Sequence, residues 1–140
     1  MIYFHTEGKL NFKLENKQKI KQWIKQSAEI EKHSIGELNF IFCDDNYLYE
    51  LNQKYLQHNT LTDIITFDYT KERIINGDVF ISIDRVKENA ELFNTDFYNE
   101  LYRIIIHGVL HLLGFKDKNK ADKEIMTKKE NYYLDLFPKK

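Results

Sequence analysis

The chain has 140 residues, a length that suits one domain with a core of ordinary size, and we predict a single domain over residues 1–140. Its 21 Lys and Arg residues nearly balance 22 Asp and Glu residues, so the formal net charge of -1 excludes a protein that binds polyanions over its whole surface. The single cysteine excludes an internal disulfide bond, and no stretch reaches the ~20 apolar residues of a membrane span or begins like a secretory signal. We expect a soluble, cytoplasmic protein.

The first third of the chain predicts two strands and a helix between them. Weak alternation at 2–5 indicates a short strand, and apolar residues at helical spacing within 16–34 predict a helix with Asn16 as its N-cap. The segment "ELNFIFCD" at 37–44 is rich in aromatic residues and predicts a core strand. We expect Cys43 to be a small apolar residue of that strand rather than a reactive thiol.

A second helix and a hairpin are predicted next. Asp44 or Asp45 caps the helix, whose inner face is predicted to carry Leu48, Leu51 and Tyr55. Extended segments are then predicted at 63–69, 73–75 and 78–83. The Asn-Gly pair at 76–77 is a typical hairpin signal, so we predict the turn there.

Two helices are predicted after the hairpin. Asp84 is expected to cap the first, over 85–94. Asp96, or Thr95 beside it, is expected to cap the second, over 97–113, and Gly114 to end it in a left-handed conformation.

A last helix is predicted over about 119–136, before Pro138. Its buried residues are predicted to be Ile125, Met126, Tyr132, Tyr133 and Leu136. Strands in the first half and helices in the second predict an α+β fold, with one mixed sheet of about four strands packed with about five helices.

The segment "HGVLHLLGFKD" at 107–117 carries the strongest chemical signal in the sequence. On a helix, residues four apart lie on the same face, so His107 and His111 can both direct a ring nitrogen at one metal ion. The same pair on a buried helix can also be satisfied by hydrogen bonds, so the spacing by itself leaves both interpretations open.

Asp117 favours the metal interpretation. Because Gly114 ends the helix, the chain can double back and bring this carboxylate to the same point as the two imidazoles. Two His and one Asp leave the fourth position of a tetrahedral zinc open for water, as a catalytic site requires. The alternative is a surface carboxylate among neighbouring lysines. We predict a zinc site at the end of a helix, held by His107, His111 and Asp117, with the metal-bound water as nucleophile.

Gly108 disfavours one class of metal enzyme. The helical metallopeptidase motif HExxH requires a Glu after its first His as general base, and this chain has Gly108 there. Glycine within a helix costs roughly 1 kcal/mol relative to alanine, so we expect Gly108 to permit close approach of a strand or of a bulky substrate. Flexibility at the end of the helix is the alternative explanation.

These residues resemble the bacterial endoribonuclease YbeY family of rRNA maturation factors, whose signature is HGxLHLxGYDH. The segments at 61–67, "LTDIITF", and 77–82, "GDVFIS", resemble the family's PTDVLSF and GDIVIS, and "LNQKY" at 51–55 resembles LNxxYR. The resemblance implies a zinc-dependent, single-strand-specific endoribonuclease that acts in 16S rRNA 3′-end maturation and ribosome quality control. It implies ribosomal RNA as substrate and the ribosomal subunit or assembly proteins as partners, with no membrane.

The chain departs from the family signature at two positions. Asp117 stands where the family has its third histidine, and zinc accepts either ligand. Leu56 stands where the family has an Arg suited to contact phosphate, so this chain must hold a phosphodiester differently.

Two further residues are predicted to support the site. His58 lies two positions after Leu56 and could replace the missing cation or donate a proton, although a loop histidine is often merely solvated. Asp63 could accept a hydrogen bond from a ligating histidine, or it could form a local turn.

Two alternatives keep the metal and change the function. A hydrolase of a small substrate would have a closed, narrow pocket. A non-catalytic ribosome-assembly factor would have a structural zinc, and a fourth protein ligand, for example His5 or His33, would favour it.

Overall fold

The computed structural model describes residues 1–56 and 62–138. Within these ranges the elements follow in the order β1 (Ile2–Thr6), α1 (Lys17–Ile30), β2 (Ser34–Cys43), α2 (Asp45–Leu56), β3 (Ile64–Asp68), β4 (Ile74–Ser82), α3 (Ile83–Leu92), α4 (Phe97–Leu112) and α5 (Lys120–Asp135). None of the helices in these ranges is both long enough and apolar enough to cross a membrane.

The four strands form one mixed sheet in the order β1-β2-β4-β3. Strands β1, β2 and β4 are parallel, and β3 pairs antiparallel with β4. The predicted α+β fold, with one mixed sheet and five helices, is confirmed.

The main core lies on one face of the sheet and surrounds α4. Buried side chains of β2 and β4, such as Phe40 and Val79, pack with Trp23 of α1 and with the apolar positions of α4. On the other face, Leu48 of α2 covers Cys43 and Ile65. Burial raises the pKa of the Cys43 thiol to about 12, so the interpretation of this residue as a core residue agrees with the structure.

The hairpin turn lies elsewhere than predicted. Lys71 and Ile74 exchange both backbone hydrogen bonds, each 3.1 Å long, so Glu72 and Arg73 form the tip, with Glu72 at φ 57°. The prediction of a turn at 76–77 is wrong, because both residues lie inside β4.

Packing rather than a turn explains Gly77. A Cβ atom at this position would lie 2.8 Å from the carbonyl oxygen of Phe67 and 2.9 Å from Cδ2 of Leu112 in α4. Only a residue without a side chain lets α4 lie this close to the strand.

The predicted caps are partly confirmed. The Asp44 carboxylate accepts a hydrogen bond from the backbone of Tyr47 at 2.8 Å, and Asp96 caps α4. The cap of α3 is Ser82, whose hydroxyl accepts from the backbone N–H of Arg85, so the assignment of Asp84 is wrong.

Asn16 occupies the N-cap position of α1, but its side chain does not cap the helix. Its backbone has φ 60° and its side chain makes no cap hydrogen bond. The carbonyl oxygen of Asn16 instead accepts the first helical hydrogen bond, from Ile20 at 3.0 Å.

Three predicted core residues are exposed. The outward-facing side chains are Tyr55, Ile125 and Tyr132. Helix α5 buries only a narrow stripe, because it packs on α4 and contacts Trp23 and Glu31, while most of its other side chains are exposed. Met126 and Tyr133 lie on that stripe, as predicted.

We expect Gly77→Ala to lower the free energy of unfolding by about 1–3 kcal/mol, because the methyl group must displace either the β3 backbone or Leu112. Urea unfolding followed by circular dichroism measures the change. Glu72→Gly, at the true turn, is the control and should lose no stability, since glycine adopts a positive φ readily. Equal stability of Gly77→Ala and the parent would contradict the close packing.

Candidate metal centre

Helix α4 and the turn after it bring the three predicted metal ligands together. His107 and His111 lie one turn apart on the part of α4 that is not enclosed by the core. Gly114, at φ 103°, ends the helix, and its N–H donates to the carbonyl oxygen of His111 at 3.0 Å. This reversal directs the chain back, so that Asp117 lies beside both imidazoles.

The three ligand atoms form a nearly equilateral triangle. Nε2 of His107 and Nε2 of His111 are 3.0 Å apart, and Oδ2 of Asp117 lies 3.3 Å and 3.4 Å from them. A tetrahedral zinc with ligands at about 2.0–2.1 Å separates neighbouring ligands by roughly 3.3–3.4 Å. The donor set and its spacing therefore fit one zinc-sized ion with little rearrangement.

Glu130 of α5 orients His107. Its Oε2 accepts a hydrogen bond from Nδ1 of His107 at 2.6 Å, and its Oε1 accepts one from Arg103 at 2.8 Å. Glu130 is only 8% exposed. Because a carboxylate on Nδ1 fixes the proton there, the lone pair of Nε2 points towards the ligand triangle.

Glu130 was not predicted from the sequence, which indicated Asp63 as a possible acceptor instead. In the structure Asp63 lies in the wall of the same cleft, where its carboxylate accepts from Asn89 at 3.4 Å. Burial raises the pKa of Asp63, and the charge of His107 opposes this rise. Glu130 had a detectable signal, since it lies between Met126 and Tyr133 at helical spacing and is thus a charged residue in an apolar stripe.

The two histidines have pKa values displaced in opposite directions. Burial lowers the pKa of His107, but the hydrogen bond and charge of Glu130, with the charges of Asp117 and Asp63, raise it by more, so the result lies above the ordinary value. Burial and the charge of His107 lower the pKa of His111. His111 therefore loses its proton first, which favours metal binding.

Gly108 lets α4 lie directly on the sheet. A Cβ atom at this position would lie 2.9 Å from Cγ1 of Val79 in β4 and 3.2 Å from Cδ1 of Ile64 in β3. The expectation that Gly108 permits a close approach of a strand is confirmed.

The ligand atoms open into a cleft of about 660 Å³, which we call the metal cleft. Its carboxylates are those of Asp63, Asp68, Glu100, Asp117 and Glu130. Arg103 is the only Lys or Arg among its lining residues in the described part of the chain, and Leu56 lies in its wall. The predicted residue His58 lies outside the described residues.

His5 and His33, the alternatives for a fourth ligand, lie away from the site. His5 on β1 hydrogen-bonds to Asn39 at 3.0 Å, and Nδ1 of His33 lies 2.7 Å from the backbone oxygen of Glu31. Within residues 1–56 and 62–138, the only group of three or more His, Cys, Asp or Glu residues with metal-ligand spacing is His107, His111 and Asp117.

Two imidazoles and one carboxylate that converge in a cleft, on a mixed α+β fold, are typical of metal-dependent hydrolases. The family model described as endoribonuclease YbeY matches residues 3–137. The chain is 47% identical to the endoribonuclease YbeY of Flavobacterium johnsoniae over 98% of this chain and 97% of the relative. It is 49% identical to that of Karelsulcia muelleri over 100% and 98%.

The chain therefore belongs to the endoribonuclease YbeY family, and the predicted enzyme class, an endoribonuclease, is confirmed. The fold is also similar to the solution structure of TM1509 from Thermotoga maritima, with a TM-score of 0.69 and 27% identity over 96% of this chain and 87% of the other.

We expect Glu130→Gln to lower the pKa of His107 in the metal-free protein. Glutamine can still accept the hydrogen bond, but it carries no charge, so the electrostatic contribution by which Glu130 raises this pKa is lost. An NMR titration of the imidazole nitrogens in the presence of chelator measures it. Glu124→Gln, an exposed position of the same helix, is the control. An unchanged pKa of His107 in Glu130→Gln would contradict the role assigned to Glu130.

Proposed function

We propose that the chain acts, as a single domain over residues 1–140, as a zinc-dependent endoribonuclease that cleaves single-stranded RNA, with His107, His111 and Asp117 as the zinc ligands. The observation that carries the proposal is the triangle of three ligand atoms, 3.0–3.4 Å apart, at the floor of an open cleft. Family membership supports RNA as the substrate.

The donor set supports zinc as the metal. Imidazole nitrogen and carboxylate oxygen are common ligands of catalytic zinc, and three protein ligands leave one position for water. When bound, zinc lowers the pKa of that water to about 7 and so supplies the nucleophile.

Glu130 and Arg103 orient the imidazole of His107. Glu130 holds the proton on Nδ1 of His107, and Arg103 holds Glu130, so the imidazole stays aligned through two partly buried contacts. No Glu occupies position 108, so proton transfer falls to other residues. We assign this supporting role to Asp63, whose raised pKa suits proton exchange with the leaving oxygen, and to His58.

An acidic cleft poses a problem for a polyanionic substrate. The carboxylates of the metal cleft repel phosphate until the zinc charge is present, and Leu56 offers no positive charge where the family signature has an Arg. Within the described residues the lining cation is Arg103, from α4. Lys116 and Lys118 are exposed on either side of Asp117, where they can contact flanking phosphates.

The biological role is proposed from the family resemblance. We assign the chain to rRNA maturation, with 16S rRNA 3′-end processing and ribosome quality control as its tasks and ribosomal subunits or assembly proteins as its partners, in the cytoplasm. The cleft favours an RNA-cleaving enzyme over the two alternatives. A small-substrate hydrolase calls for an enclosed pocket, and a structural zinc calls for a fourth protein ligand, which the described residues do not supply.

The first prediction concerns the metal. His107→Ala, His111→Ala and Asp117→Ala should each lose stoichiometric zinc, because two protein ligands bind it far more weakly than three. Asp117→His should retain zinc, since three imidazoles also form a catalytic site. Elemental analysis of purified protein measures the content, with Glu124→Ala as the control. Full zinc content in all three alanine variants would remove the proposed site.

The second prediction concerns the reaction. The zinc-loaded protein should cleave single-stranded RNA, chelator should abolish the cleavage, and added zinc should restore it. A double-stranded RNA of the same sequence should be cut more slowly, and casein should not be hydrolysed, given Gly108 in place of the peptidase Glu. Failure to cleave any RNA with zinc bound would favour the assembly-factor alternative.

A further inference from the structure

A second cleft continues from the metal cleft along α4. It has a volume of about 620 Å³, within the range of sites that bind small molecules or parts of larger ones. Glu100 and Arg103 line both clefts, so the two share a wall. Its other lining residues include Phe93, Thr95, Asn99, Tyr102 and Phe137.

The lining of the second cleft suits a flat, uncharged aromatic group. Phe93 is 64% exposed, and Tyr102 and Phe137 stack with ring centroids 4.1 Å apart. Asn99 offers both a donor and an acceptor on an exposed side chain. The carboxylates of Glu100 and Asp135 repel a phosphate, but they can accept hydrogen bonds from the amino groups of a base.

The second cleft also lies where an RNA strand in the metal cleft would pass. Arg103 lies one helical turn before His107, and Asn99 lies two turns before it. At a rise of 1.5 Å per residue, Asn99 is therefore about 12 Å from His107 along the helix axis. A strand with one phosphate at the ligand triangle can pass Arg103 and place a nearby base against Phe93 and Asn99.

We propose that the second cleft is a subsite for one unpaired nucleobase of the RNA strand that is cut at the metal centre. The inference rests on the proposed function and adds a specificity element to it. The base stacks on Phe93 and bonds to Asn99, as bases of single-stranded RNA do on aromatic and amide side chains of other proteins. Because a base in a duplex cannot be turned into this cleft without unpairing, the subsite contributes to selection of single-stranded RNA.

The test combines one protein variant with one change in the RNA. Single-stranded oligoribonucleotides, each with an abasic site at a different position, are compared with the intact oligonucleotide on the zinc-loaded protein. Binding is measured by fluorescence anisotropy, and cleavage by product length. One abasic position near the cut should weaken binding roughly five-fold to a hundredfold, the range for loss of one stacked base.

Phe93→Ala should weaken binding of the intact oligonucleotide by a similar factor and remove the difference between the intact and the critical abasic oligonucleotide. Asn99→Ala should reduce that difference in part. Leu92→Ala is the matched control, because Leu92 is adjacent, 75% exposed and outside the cleft lining, and it should behave as the parent. Circular dichroism verifies that each variant is folded.

The outcomes separate this inference from the proposed function. The abasic penalty is the loss of binding that the abasic site causes. If the parent cleaves RNA and this penalty is as large in Phe93→Ala as in the parent, the subsite is overturned and the endoribonuclease proposal stands. An abasic penalty that depends on Phe93, without cleavage, supports the subsite and overturns the proposed reaction. If the parent shows no cleavage and no penalty that depends on Phe93, both proposals are overturned.

Discussion

The close approach of helix α4 to strand β4 is the constraint on which the rest of the structure depends. Gly108 on the helix lies against Val79, and Gly77 on the strand lies against Leu112, so a missing side chain on each element lets the other come closer. Protein interiors are packed too densely to absorb even one additional methyl group at such points without a shift. The position of His107, next to Gly108, follows directly from this contact.

Helix α4 is the central core helix, and it also carries two of the three proposed metal ligands. Most of its surface is buried against the sheet, α3 and α5, and only a strip with His107 and His111 opens into the metal cleft. A rigid, buried helix holds its polar side chains with less freedom than a loop would, and metal ligands need positions accurate to a fraction of an ångström. Asp117 is the one member of the group that lies outside the helix, and a glycine turn brings it back to the helix.

Buried charge at the metal centre is tolerated because it is paired. Glu130 would be costly inside the protein by itself, but its two oxygens are occupied by the His107 ring and the Arg103 guanidinium. The same pairing ties α5 to α4 and sets the imidazole tautomer, so one group serves stability and orientation together. The remaining carboxylates leave the metal cleft negative, a charge that suits a divalent cation and that the cation must offset before RNA can enter.

The sequence by itself determined the elements with strong local signals: α4 from its apolar periodicity and Asp96 cap, its end at Gly114, and the His107–His111 pair from helical spacing. These are properties of neighbours along the chain. Tertiary structure decided what depends on distant neighbours. Gly77 lies in a strand against Leu112 of α4, and the side chain of Asn76 accepts a hydrogen bond from the backbone of Glu37 in β2. Glu130 reaches His107 from 23 residues away in the chain. Local pattern carries no information about which surfaces meet, so those contacts became visible only in the folded chain.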